Sequence, residues 1–89
     1  MPASRTVTIG SRTGLHARPA ALFAKAAAGS GHAVQISALK GSVNAASLLG
    51  LMSLGIENGA EVTVEVTGAE ETRVADELAA MLASDLDAE

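Results

Sequence analysis

Seven residues, Glu61-Val62-Thr63-Val64-Glu65-Val66-Thr67, alternate valine with Glu or Thr without a break. Successive side chains of a strand point to opposite faces, so this run sets its valines on one side and its polar residues on the other. A strand of that kind has one covered face and one solvated face, as in an antiparallel sheet packed on a single side. The segment that follows has the period of a cover. Val74, Leu78, Met81 and Leu82 fall at i, i+4, i+7 and i+8, which predicts one apolar helical stripe. Glu70 and Glu71 precede that stripe, where acids favour the positive end of the helix dipole.

The remaining segments fit the same plan. Arg5-Thr6-Val7-Thr8-Ile9 repeats the strand alternation, and residues 10–14 read as a loop. From about His16 the run ARPAALFAKAAA is dense in helix-forming Ala and Leu, and it stops at Gly29-Ser30-Gly31. Val34-Gln35-Ile36-Ser37 resumes strand alternation, turns near Lys40-Gly41 and returns through Ser42-Val43-Asn44 as a hairpin. Ser47 to Met52 predicts a short helix with Ser47 as N-cap, and Asn58-Gly59 marks a turn. The order is βαββαβα. It does not fix which strands are neighbours, since a ferredoxin-like split βαβ arrangement and other antiparallel sheets share much of it. Either way, helices cover one face of a largely antiparallel sheet, an α+β protein. With 89 residues and no repeat or linker, residues 1–89 are expected to form one domain.

Charge and composition exclude several functions. The net charge of −4 hides a division along the chain: residues 1–56 carry Arg5, Arg12, Arg18, Lys25 and Lys40 with no acid, while residues 57–89 carry all ten acids and only Arg73. A basic surface in the first part would draw an anionic ligand or an acidic partner. A nucleic-acid role is the weaker reading, because there is no dense Lys/Arg cluster and only Phe23 for bases to stack upon. No cysteine is present, so thiol catalysis, thiolate metal sites and disulfides are excluded, and a reducing compartment fits. The start MPASRTVTIG has no apolar run, so neither a signal peptide nor membrane insertion is expected, and a cytoplasmic protein is.

Within the basic part, Gly14-Leu15-His16-Ala17-Arg18-Pro19-Ala20 stands where loop gives way to helix. The first N–H groups of a helix have no intrahelical acceptor, and Pro19 suits an early helical position because it needs no donor there. Free N–H groups, the positive dipole end and the planar donor fork of Arg18 together suit an anion such as phosphate. The same surroundings bias His16 toward neutral imidazole, whose lone pair can act as a nucleophile. A phosphoryl group on that nitrogen would remain labile. The plain alternative is a histidine that merely caps or lies exposed beside the helix.

These residues resemble the active-site signature of the HPr family, the histidine-containing phosphocarriers of the bacterial phosphoenolpyruvate-dependent sugar phosphotransferase system. Ser47-Leu48-Leu49-Gly50-Leu51-Met52-Ser53-Leu54-Gly55-Ile56 is similar to that family's second signature, at the expected distance downstream. The resemblance implies an open-faced β-sandwich whose antiparallel sheet, in order 1-4-2-3, is covered on one face by three helices. It implies that His16 is phosphorylated on Nδ1 by phospho-enzyme I and passes the group to a histidine of an EIIA component of a sugar permease. Ala17 and Arg18 would then hold the phosphate, and Leu48, Leu49 and Met52, with Lys25 on the first helix, would meet the partners. The plain alternative keeps those three as core, and some of them must be, because a helix this short cannot bury every side; Leu48 and Met52 are taken as the exposed contacts.

Ser47 has two compatible roles: N-cap and, by resemblance to family members of low-GC Gram-positive bacteria, a site for an ATP-dependent HPr kinase that controls carbon catabolism. His32 has no Cys or acidic ligand set around it, so no metal is expected. No nucleotide loop or paired-carboxylate motif is apparent, so no cofactor is expected either. The chain is thus expected to be a stoichiometric, monomeric phosphoryl carrier and not an enzyme with its own substrate. The alternatives are a regulatory paralogue of the nitrogen-related branch that serves non-sugar partners, and a non-catalytic adaptor.

Overall fold

The valine run lies inside a four-stranded antiparallel sheet of order β1-β4-β2-β3. The computed structural model describes residues 2–12, 14, 15 and 17–84. Its elements are β1 (Ala3–Thr8), α1 (Ala17–Gly29), β2 (Ala33–Ala38), β3 (Gly41–Asn44), α2 (Leu48–Ser53), β4 (Glu61–Thr67) and α3 (Glu71–Ala83). Strand adjacency, which element order had left open, therefore follows the order implied by the resemblance.

Register explains why the alternation matters. Val66 stands opposite Ala3 and Val34, and Val64 opposite Arg5 and Ile36, so apolar residues of three strands meet on one face. Val62, Val64 and Val66 are fully buried there, each contributing about 1.5 kcal/mol or more relative to exposure. The other face carries Ser4, Thr6, Thr8, Gln35, Glu61, Glu65 and Thr67 to solvent. Thr6 and Thr63, directly opposite, join hydroxyls at 3.0 Å across it.

The helices cover the apolar face. In α1, Ala20, Phe23, Ala24 and Ala27 are buried at i, i+3, i+4 and i+7. In α3 the buried set is Val74, Ala75, Leu78 and Leu82, with Met81 only half-buried. The stripe centres on Leu78 and Leu82, which brings the small Ala75 inside and leaves Met81 at its edge. Arg5, half-buried on β1, ties the sheet to α3 through Asp76, Nε to Oδ1 at 2.6 Å.

The start of α3 also differs from expectation. Glu70 occupies the N-cap position without a side-chain cap bond. Its carboxylate instead accepts two bonds from Arg73, Nε and Nη2 each at 3.1 Å, while Arg73 Nη1 reaches Glu77 at 3.0 Å. The Arg73 hydrogen bonds and charge hold the Glu70 carboxyl below its usual range. His32 supplies the cap: its Nε2 accepts the Glu70 N–H at 3.0 Å, which leaves the proton on Nδ1 to donate to the Ser30 carbonyl at 2.8 Å. Both ring nitrogens thus serve the backbone.

Candidate functional site

His16, on which the sequence reading centres, and Thr13 lie outside the described residues. The described residues on either side of His16 are tied to the rest of the fold. Ser11, after β1, is fully buried, and its carbonyl accepts the Gly14 N–H at 3.0 Å. Leu15 follows, also fully buried, and its N–H bonds the Ile56 carbonyl at 2.9 Å. Helix α1 opens at Ala17, the next residue but one. His16 is thus bracketed by an anchored leucine and a helix start.

Gly14 makes this approach possible. Its φ of 74° lies in the left-handed region, and a Cβ there would stand 2.7 Å from the Glu57 Cα and collide with the Ile56 carbonyl oxygen. Only a residue without a side chain lets the loop lie directly against the segment that leaves α2. Ala17 gives the helix its first N–H, Arg18 is exposed in the first turn, and Pro19 is fully buried at the third helical position. At that position proline removes no helical bond, as the sequence predicts.

Helix α2 forms as its cap predicts. Ser47 Oγ accepts the Gly50 N–H at 3.1 Å with extended backbone, φ −96° and ψ 110°. Asn44 prepares the entry, its Oδ1 accepting the Ala46 N–H at 2.9 Å and its carbonyl the Ser47 N–H at 3.0 Å. Leu51 is fully buried, whereas Leu48, Leu49 and Met52 are 40%, 82% and 44% exposed. This corrects the expectation that one of those three turns inward. The core position of a six-residue helix falls to Leu51, and Leu49 is the most exposed of the three. Helix α2 packs on α1, and its exit reaches the loop before His16 at Leu15 and Gly14. An exposed apolar patch therefore lies on the helix whose exit segment is bonded to Leu15. Lys25 is exposed on α1.

Sequence reasoning missed residues 56–60, which bond this part of the chain at Ile9, Ser11 and Leu15. Ile9 N–H bonds the Ala60 carbonyl at 2.8 Å, Gly59 N–H the Ile9 carbonyl at 3.0 Å, and Asn58 Nδ2 the Ser11 carbonyl at 3.0 Å. The Asn58-Gly59 pair marked a turn, and an asparagine there was the signal that a carbonyl needed a donor. Among the described residues no three His, Cys, Asp or Glu side chains gather as a metal site, and no helix is long and apolar enough to cross a membrane.

Comparison with known proteins agrees with this arrangement. The family model described as PTS HPr component phosphorylation site matches residues 3–84. The phosphocarrier protein HPr of Streptomyces coelicolor is 45% identical over 71 residues, covering 76% of this chain and 76% of that protein. The HPr-like protein Crh of Bacillus subtilis is 44% identical over 69 residues, 78% of this chain and 81% of that one. The crystal structure of an HPr from Thermoanaerobacter tengcongensis superposes with a TM-score of 0.89 at 34% identity, covering 98% of each chain.

Proposed function

Because the chain belongs to the HPr family of phosphocarriers, we propose that His16 accepts a phosphoryl group from phospho-enzyme I and hands it to EIIA components of sugar permeases. The observation that carries this reading is an exposed apolar patch on α2, the helix whose exit segment bonds Leu15, the residue before His16. A carrier must dock two enzymes in turn and bring one histidine to both, bare to the donor and phosphorylated to the acceptor, and an exposed apolar surface on the same small domain suits that task.

In this reading the neutral imidazole attacks phosphorus with its Nδ1 lone pair. A P–N bond forms on His16 as the P–N bond on enzyme I breaks, and the donor histidine departs with the electron pair. No proton need be gained or lost, because each imidazole is neutral when unphosphorylated. The Ala17 N–H, the helix dipole and the Arg18 guanidinium favour the charge brought by the phosphate. A second transfer to an EIIA histidine repeats the exchange. The chain acts as a monomeric cytoplasmic carrier, without cofactor, and is altered and restored in each cycle.

Leu48, Leu49 and Met52 are the docking residues of this proposal, with Lys25 supplying charge at its border. Ser47, exposed at the rim of the same patch, is the position at which an HPr kinase would act. Phosphate there would keep its acceptor oxygens near the helix start while setting negative charge among the docking residues. The similarity to Crh, a catabolite repression HPr, keeps a regulatory branch as the second reading. A relay of labelled phosphate from phosphoenolpyruvate through enzyme I, read out on sugar-type and nitrogen-type EIIA, tests the proposal: the sugar-type acceptor is expected to be labelled faster. Preference for the nitrogen-type acceptor would establish the regulatory branch instead.

A further inference from the structure

The loop before His16 is held by a side chain that no part of the carrier chemistry has used. Asn58 Nδ2 donates to the Ser11 carbonyl at 3.0 Å and to the Ile9 carbonyl at 3.4 Å. Two carbonyl partners fix the amide with its nitrogen inward. The Ser11 carbonyl also accepts the Gly14 N–H, so one oxygen receives both that N–H and the Asn58 amide. We infer that Asn58 is a positioning residue for phosphoryl transfer at His16, acting through the Ser11 carbonyl that also accepts the Gly14 N–H. This inference rests on the carrier reading.

The geometry separates this role from a general structural one. The bonds Ile9 N–H to Ala60, Gly59 N–H to Ile9 and Leu15 N–H to Ile56 are all between backbone groups, and none needs the Asn58 side chain. Removing the amide therefore leaves both ends of the loop attached and relaxes only the hold on the Ser11 carbonyl between them. Gly14, whose N–H that carbonyl accepts, is two residues from His16. The docking patch on α2 is untouched. Loss of the amide thus alters the geometry in which His16 meets phosphorus and not the affinity for enzyme I.

The substitution Asn58→Asp keeps the shape and replaces both N–H donors with acceptors that face two carbonyls; Asn58→Ala removes the donor without adding charge. Steady-state phosphorylation of each full-length variant by enzyme I and phosphoenolpyruvate is expected to show kcat lowered roughly threefold to tenfold, with KM within about twofold of the unaltered chain. Hydrogen exchange at the Gly14 amide, read by NMR, is expected to accelerate in both variants while core amides of β4 keep their protection. Unchanged kcat in both variants, or a rise in KM alone, overturns the inference, as does unaltered Gly14 exchange. If the unaltered chain itself takes no phosphate, the carrier reading fails, and the inference about catalysis with it. Phosphorylation of the unaltered chain with unaffected variants would refute the Asn58 role alone.

Discussion

Leu49 and Leu51 stand two residues apart on one six-residue helix, and the account assigns them opposite duties. Leu51 is fully buried beneath α2, whereas Leu49 is 82% exposed. Truncating Leu51 to alanine removes core contacts and leaves a cavity, at a cost of about 3 kcal/mol. For a domain of this size that lowers Tm by at least about 12 °C. A helix of two turns has little stability of its own, so α2 should be the first element to lose protection from hydrogen exchange. Leu49→Ala should change stability by less than about 0.5 kcal/mol, because solvent already surrounds that side chain. If Leu49 is covered by a docked partner, its truncation costs about 2 kcal/mol of binding, roughly a thirtyfold rise in the dissociation constant for enzyme I. Thermal unfolding and titration calorimetry on both variants measure the two effects. Equal destabilisation by the two substitutions would refute the assignment of core and patch, and unchanged affinity in Leu49→Ala would refute the docking role.

Three smaller tests follow from other contacts. Ser47→Ala removes the acceptor for the Gly50 N–H and should cost about 1 kcal/mol in chemical denaturation, while Ser47→Asp should restore the cap yet weaken docking to enzyme I. His32→Ala removes the acceptor of the Glu70 N–H; a loss of about 1 kcal/mol is expected, with faster hydrogen exchange at the Glu70 amide, and an unaltered exchange rate would contradict the cap. The Glu70 carboxyl lies below its ordinary range because Arg73 binds the charged form. Its stabilising contribution is therefore present above the carboxyl's unfolded range and lost as pH falls through its folded value. The Tm difference between the unaltered chain and Glu70→Gln should accordingly shrink on acidification, and a difference independent of pH would contradict the ion pair.

Much of this fold was legible because its signals are local. EVTVEVT could only be a half-covered strand, and Glu61–Thr67 is one; Ser47 followed by LLGLM named both the helix and its cap, and the helix runs one residue further. Strand order was not legible from periodicity, since adjacency is settled by long-range packing, and came from the resemblance. The failures have the same origin. Leu48, Leu49 and Met52 differ little from Leu51 in composition, and only the angle at which α2 meets the core decides which one turns inward. Glu70 read as a dipole partner, but Arg73 three residues on and His32 across the fold took over its side chain and its N–H. Asn58 showed as a turn residue, while the carbonyl it serves lies 47 positions away. The chemistry of Gly14 to Pro19 was readable as an anion site from helix physics, and the transferable phosphate on His16 came from family likeness.

The central claim is that His16 holds phosphate in transit. Intact-mass analysis after incubation with enzyme I and phosphoenolpyruvate tests it most directly, with the product exposed to acid and to base and compared with His16→Ala. The account predicts one phosphoryl adduct, lost in acid, retained in base and absent from the variant. An adduct of the same stability on His16→Ala, or none on the unaltered chain, would contradict it.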